Sequence, residues 1–320
     1  MGSLIRIAFG LVLALCAAQA SAQNYPSGPV KLIVPVPAGG VTDVMARIVG
    51  QRLQEMWNQS VVVENRPGGN YGVGAQAVER SPADGLTLLV APDSTFTANP
   101  ALFSKLIYSP DNITPIALLC RGTPMLMVNP SLPVKTVSEL VAYSKANPGK
   151  LSYASFGIGT YAQLSMEDLK QRTGLDAQHV PYKGAAPALN GLLANEVQLM
   201  LLNLSSVEEQ AKAGKVRLIA AATEKRVPTL PDMPTIGETV PGFETSIWFG
   251  MWGPPNMPPE LLKKIAADVS KALDLPETKD FFKTNTFQRV DLSPQDFGKL
   301  IQSDLKHWGG LIKSVGVKIE

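Results

Sequence analysis

The sequence predicts an α/β fold of two lobes, each a mixed, mostly parallel sheet flanked by helices, with two crossings of the chain between them. Three observations lead there. Short β-branched runs alternate with segments of helical period. The chain has 320 residues, about twice a common single-domain length. Its last sixty or so residues read as helices without strands, so they must return to an earlier sheet. The first lobe is therefore expected over 23–122 and 245–320, with 123–244 inserted as the second and a cleft between the two.

The elements justify this in order. Val30 to Val36 is a buried strand, followed by the tight loop Pro37-Ala-Gly-Gly40. Thr42 to Trp57 carries apolar residues at Val44, Met45, Ile48, Val49, Leu53 and Met56, a helical period. Ser60 to Glu64 is a strand, Arg66-Pro-Gly-Gly-Asn70 a loop, and Gly72 to Arg80 a helix. Ser81-Pro-Ala-Asp-Gly85 turns the chain, because Pro fixes φ and Asp-Gly tolerates unusual backbone angles. Strands follow at Leu86 to Ala91, Ile113 to Cys120 and Met125 to Val128. Thr136 to Ala146 is a helix, Leu151 to Ser155 a strand, and Gly159 to Thr173 contains a helix. Pro187 to Ala194 is helical, and strands Val197 to Leu202 and Val216 to Ala222 flank a helix over Ser205 to Ala213. Glu244 to Trp252 is the last strand, before helices Pro258 to Leu273, Pro276 to Phe282 and Ser293 to Val315. The crossings fall near 121–128 and 242–250.

Composition excludes several classes. Hydrophobic residues make up 45% and charged residues 18%, enough apolar surface for a core and too much charge for many membrane spans. The formal charge of +2 leaves no electrostatic footprint for nucleic acid. Two Cys and two His argue against a structural metal site or a disulfide framework. At the amino terminus Arg6 precedes the apolar run Ile7 to Ala18 and an A-x-A site at Ala20 to Ala22. This reads as a signal peptide over 1–22, cleaved after Ala22, which directs the protein to the periplasm. Cleavage removes Arg6 and leaves Cys120 as the one thiol.

Motifs for chemistry are missing. There is no G-x-S-x-G, P-loop, H-E-x-x-H or EF-hand pattern. Gly72-Val-Gly74-Ala-Gln-Ala77 fits a relaxed dinucleotide fingerprint, but a stretch containing Pro67 parts it from the preceding strand. No cofactor and no metal is expected. His179 and His307 are far apart and neither has an evident Ser or Cys partner, which argues against an exported hydrolase. Two loops remain. Pro37-Ala-Gly-Gly-Val-Thr-Asp43 and Ser155-Phe-Gly-Ile-Gly-Thr160 each join a strand to a helix. Small residues there let backbone N–H groups and a helix amino terminus approach an anion. A facing pair would grip both ends of a dianion.

Several segments carry a family resemblance, among them Tyr25-Pro-Ser-Gly-Pro-Val-Lys-Leu-Ile-Val-Pro35, Pro37 to Asp43, Val61-Val-Val-Glu-Asn-Arg-Pro-Gly68 and Pro82-Ala-Asp-Gly-Leu-Thr-Leu-Leu89. Pro148-Gly-Lys-Leu-Ser-Tyr-Ala-Ser155, His179-Val-Pro-Tyr-Lys-Gly184 and Leu230-Pro-Asp-Met-Pro-Thr235 continue it. In this order and spacing the sequence resembles the Bug-type periplasmic solute receptors of the tripartite tricarboxylate transporter family. The resemblance implies a type II-like periplasmic-binding-protein fold that closes on a small carboxylate. It also implies a monomer that serves a membrane permease, or a sensory adaptor with the same cleft. It places the ligand against Ala38, Gly39, Gly40, Val41 and Thr42, to which the adjacent Val36 and Asp43 are added as candidates, and against Asp93, Ser94 and Thr95. From the second lobe it adds Ser155, Gly157, Ile158, Gly159, Thr160, Tyr161, Lys183, Gly184, Leu202 and Asn203. Phe249, on the returning strand, completes the candidate set.

Departures from the family pattern bear on the ligand. Ile158 and Leu202 stand where polar residues are common, Tyr161 adds an aromatic, and Asp93 replaces a small polar residue. An apolar site does not compensate a buried polar substituent. The expected ligand is a dicarboxylate with an apolar middle, terephthalate first and an adipate-like diacid second. If Ile158 and Leu202 are core residues instead, a hydroxylated acid remains the alternative.

Overall fold

The strands form where apolar residues are covered on both faces. In Val30–Val34 (β1) only Lys31 is exposed, and Pro124–Val128 (β5), Leu199–Asn203 (β8) and Ile247–Gly253 (β10) are buried throughout. Such continuous runs suit sheets sheltered by helices on both sides. The computed structural model describes residues 25–227, 230–245 and 247–317. The expected signal peptide and its cleavage site lie outside the described residues.

After β1 come α1 (Val41–Trp57), β2 (Val61–Asn65), α2 (Gly72–Glu79), β3 (Thr87–Pro92), the short α3 (Ser94–Thr97) and α4 (Asn99–Leu102), and β4 (Thr114–Gly122). One residue, Thr123, separates β4 from β5. Then follow α5 (Val137–Ala146), β6 (Ser152–Ser155), α6 (Tyr161–Thr173), β7 (Gln178–Pro181), α7 (Ala185–Leu193), β8, α8 (Glu208–Lys212) and β9 (Arg217–Ala221). After β10 the chain ends in α9 (Pro259–Asp274), α10 (Pro276–Thr284) and α11 (Pro294–Val315).

Two five-stranded sheets result, ordered β2-β1-β3-β10-β4 and β7-β6-β8-β5-β9. They have the same design. Three parallel strands are followed by one antiparallel strand and one more edge strand. In each sheet the antiparallel strand, β10 or β5, is the one that begins after the chain has crossed over. The expected two-lobed α/β fold with mixed sheets is therefore what forms. Arg121 and Gln288 exchange backbone bonds of 2.9 and 2.8 Å beside the first crossing, and Thr245 N–H donates to the Ala222 carbonyl at 2.8 Å in the second.

The terminal helices return to the first sheet, as their lack of strands requires. Two tryptophans fix them there. Trp57 Nε1 on α1 donates to Asp268 on α9 at 2.8 Å, and Trp248 Nε1 on β10 donates to Asp304 on α11 at 2.7 Å. The buried face of α11 is Phe297, Ile301, Trp308, Leu311 and Ile312. Its far end also reaches the second lobe: Trp308, Leu311 and Ile312 join Leu102, Ala98 and, from α6, Leu164 in one apolar cluster.

Some local features differ from the sequence expectation. The helix expected over Ser205 to Ala213 is split into a 3₁₀ turn, Leu204–Ser206, and α8. The strand β7 and the short helices α3 and α4 were not anticipated, because four residues are too few for a period to register.

Gly250 shows how closely α11 docks. A Cβ there would sit 2.5 Å from Phe297 Cζ and 2.8 Å from Trp252. Gly250→Ala is expected to lower unfolding stability by roughly 1–3 kcal/mol through overpacking. Urea denaturation measures this, and an unchanged midpoint would contradict the packing described.

Candidate ligand-binding cleft

The equivalent strands β1 and β6 each feed a loop of small residues and then a helix. The cap residues of α1 and α6, Gly40 and Thr160, give no side-chain bond to the helix. Elsewhere Thr136 caps α5 and Ser293 caps α11 in the usual way. The first helical bonds run from Val44 N–H to the Gly40 carbonyl and from Leu164 N–H to the Thr160 carbonyl, both 3.0 Å. The N–H groups of Val41, Thr42 and Asp43, and of Tyr161, Ala162 and Gln163, find no acceptor among the described residues. Two helix amino termini thus keep their positive ends available to an anion.

The same brace holds both loops. Asp43, third residue of α1, folds back and accepts the Gly39 N–H at 2.9 Å. Gln163, third residue of α6, accepts the Gly159 N–H at 2.7 Å. Both glycines are left-handed, with φ of +87° and +77°, and a side chain at Gly159 would strike Leu102 across the lobes. Each brace uses an N–H that precedes the cap and leaves the helix's own donors free.

The supports behind the braces differ. Asp43 also takes Arg47 Nε and Nη2 at 3.0 and 2.9 Å and Asn65 Nδ2 at 2.9 Å. Burial works to raise its pKa, but the bonds from Arg47, Gly39 and Asn65 outweigh that and hold it below the ordinary carboxylate range. Behind Gln163 stands His179, which parallel pairing of β6 with β7 stacks on Tyr153 at 4.9 Å. His179 Nδ1 lies 3.3 Å from Gln163 Nε2, and Nε2 lies 2.6 Å from Ser155 Oγ. Gln163 accepts through its oxygen, so its nitrogen donates to Nδ1. Ser155 donates to the Gly157 carbonyl at 3.0 Å, so it accepts from Nε2–H. This bonding fixes a neutral imidazole.

His179 therefore has a serine partner that the sequence did not suggest, because 24 residues separate them. The pair does not form a nucleophile and base. Ser155 is fully buried, its hydroxyl proton is committed to Gly157, and the facing imidazole nitrogen is a donor.

Between the lobes lies a cavity of about 260 Å³, below the range of drug-sized pockets. Nine candidate residues line it: Val36, Val41, Thr42, Asp93, Ser94, Gly159, Thr160, Tyr161 and Phe249. The others stand off the wall. Gly39 and Asp43 bond to each other, and Ala38 and Gly40 complete the same turn. Thr95 is buried behind Ser94, and Ser155 and Gly157 belong to the His179 brace. Ile158 is 50% exposed and points to solvent, Lys183 is exposed and Gly184 caps α7. Leu202 packs in the core of the second lobe, and Asn203 bonds to Ser205 at 2.7 Å. The Ile158 and Leu202 substitutions therefore do not make the cleft apolar.

Residues the sequence reading missed do. Asn70, Tyr71, Pro92, Phe156 and Ile247 also line the cavity. Tyr71 enters because residues 68–71 all have positive φ, of 127°, 55°, 48° and 76°. Gly68-Gly-Asn70 was the available signal, since these residues tolerate that region, but Tyr71 itself is strained there. Phe156 and Tyr161 meet edge to face at 5.1 Å. Burial raises the Tyr71 and Tyr161 hydroxyls, with the Asp93 carboxyl adding to the effect on both, so they remain protonated.

A two-lobed fold with an interlobe pocket and paired anion-ready helix ends defines a solute receptor. The family model described as "Tripartite tricarboxylate transporter family receptor" matches residues 45–317, and the chain belongs to that family. It is 31% identical to the protein BugT of Bordetella pertussis, over 95% of this chain and 94% of that one. Among solved structures, Rpa4515 of R. palustris with adipate is 33% identical with a TM-score of 0.82, covering 91% of this chain and 98% of its own. MatC from Rhodopseudomonas palustris, with bound malate, is 30% identical with a TM-score of 0.76, covering 90% and 100%.

The neutral His179 gives a pH prediction. Burial lowers its pKa, with Lys170 acting the same way and Glu167 opposing. The stability that follows is present above the ordinary histidine pKa and is lost as pH falls through the depressed one. Protonated Nδ1 would face the Gln163 amide nitrogen, and Gly159 would lose its acceptor. Stability is expected to decline from about pH 7 to about pH 5, and less so in His179→Asn. Thermal unfolding across that range checks it; equal slopes in both proteins would count against the brace.

Proposed function

We propose that this receptor captures a dicarboxylate with an apolar or aromatic middle in the periplasm, closes on it, and delivers it to the permease of a tripartite tricarboxylate transporter. Terephthalate is the first candidate and an adipate-like diacid the second. One observation carries the reading. Two uncapped helix amino termini, on opposite lobes, meet a cavity whose remaining wall is largely Val36, Val41, Tyr71, Phe156, Tyr161, Ile247 and Phe249. The termini suit two carboxylates, and the wall suits a flat or aliphatic body, at roughly 1.5–3 kcal/mol for a well-buried group of that size. The bound adipate in the similar Rpa4515 supports the aliphatic version. The bound malate in MatC makes a hydroxylated acid the natural competitor in any test.

Closure follows from binding to both lobes at once, because a ligand favours the form in which it makes more contacts. No step of catalysis is proposed. The cleft holds carboxylates with backbone donors, and its Ser–His pair sits behind a loop as a brace.

Calorimetric titration with terephthalate, adipate, malate and citrate tests the ligand class. The apolar diacids are expected to bind at least tenfold more tightly than citrate and malate, and scattering with the tightest acid is expected to show a smaller radius of gyration. Tighter binding of citrate or malate would overturn the ligand class. Export is tested separately. Intact mass of the exported protein is expected to begin at Gln23; a chain beginning at Met1 would refute cleavage after Ala22.

A further inference from the structure

The cleft contains one acid that the carboxylate-binding scheme does not use. Asp93 follows β3 directly and caps α3, and its own N–H donates to the Trp248 carbonyl at 3.0 Å. The residue is 4% exposed, yet it lines the cavity. One carboxyl oxygen accepts the Ser94 N–H at 2.8 Å. No other residue among those described donates a hydrogen bond to this carboxyl. None of the residues lining the cavity is Lys, Arg or His.

We infer that the neutral carboxyl of Asp93 donates a hydrogen bond to an oxygen of the bound acid, and that this makes Asp93 the residue that selects amine-free acids. The inference rests on the diacid reading above. An ionised Asp93 would stand without a cation in the cavity and then repel an entering anion. A protonated one turns the same position into a strong donor, since a carboxylic acid bonded to a carboxylate is a charge-assisted pair. The groups around it point the same way. Burial pushes the Asp93 carboxyl well above the usual range and Asp304 on α11 adds to this, while the backbone N–H groups of Ser94 and of Asp93 itself oppose it. The hydroxyls of Tyr71 and Tyr161 stay protonated beside it. Asp304 itself is tied to Trp248 and sees Arg121, His307 and Glu244. A ligand ammonium would demand the opposite state, an ionised acceptor.

The sign of the pH effect follows. Between the ordinary carboxylate range and the raised one, the folded protein holds a proton that the unfolded chain has lost. Stability therefore falls as pH rises across that window. Affinity for a diacid falls once pH passes the raised value.

Calorimetry on the full exported protein separates the cases, with adipate and 2-aminoadipate as a pair that differs by one amino group. Wild type is expected to bind adipate at least tenfold more tightly than 2-aminoadipate, and to lose adipate affinity as pH rises through the raised Asp93 range. Asp93→Asn, whose amide is a weaker donor, is expected to bind adipate three- to tenfold more weakly and to lose that pH dependence. Asp93→Ala is expected to be weaker still. The infrared difference between wild type and Asp93→Asn is expected to show a carboxylic-acid carbonyl band, which keeps the inference testable if a variant folds poorly. A carboxylate band, tighter binding of 2-aminoadipate, or unchanged affinity in Asp93→Ala would each overturn it. If wild type binds malate and neither adipate nor terephthalate, the apolar-diacid reading fails by itself. The same variants and the infrared band, titrated with malate, then still decide the state of Asp93.

Discussion

Six backbone N–H groups at the start of α1 and α6 have no acceptor within the described protein, and the rest of the site is arranged around keeping them so. An ordinary cap would contribute about 1 kcal/mol to each helix, and neither Gly40 nor Thr160 supplies it. The chain instead folds the third helical side chain back past the cap, to Gly39 in one lobe and Gly159 in the other. That contact fixes the loop without consuming the donors. It requires a glycine with positive φ in front of each cap, and both loops have one. The repeated sheet design places the two loops at equivalent strand ends, so the duplicated device faces itself across the cleft.

The two braces are chemically unlike, and the difference has consequences. Asp43 is an anion beside a helix end that the proposed carboxylate would meet, and Arg47 and Asn65 satisfy its oxygens. Gln163 is neutral, and its orientation depends on which proton His179 carries. The first lobe is therefore rigid toward moderate acid, while the second lobe has a titratable support. The cleft can hold anions with no cation in its wall, which is why a near-neutral net charge carried no information about its ligand.

The two anion loops were legible because their chemistry is local: a β-branched strand, small residues, then a helical period. Sheet order was legible only as a class, since no local signal says that β5 and β10 run antiparallel. Leu202 was expected at the cleft from the family resemblance, and the structure packs it in the core instead. In a strand buried along its whole length, alternation does not reveal which side chain faces a cleft. Tyr71 was hidden because its position depends on four consecutive left-handed residues, not on its own type. The Ser155–His179 contact needed strand pairing, which joins positions far apart in sequence.

Those misses change the basis of ligand selection more than its direction. The apolar wall comes from Tyr71, Phe156, Ile247 and the aromatic Tyr161, and not from Ile158 or Leu202. Such a wall discriminates weakly among hydrocarbon bodies, since one methylene changes burial by only about 0.8 kcal/mol. It discriminates strongly against unpaired polar groups, whose desolvation costs more than that. Any substituent on the proposed ligand would meet the few polar side chains of the wall, Thr42, Asn70, Ser94, Thr160 and Asp93, and the hydroxyls of Tyr71 and Tyr161. With both tyrosines protonated, Asp93 alone of these can gain or lose a charge, so under the proposed scheme its protonation state bears on ligand chemistry more than the shape of the aromatic surface around it.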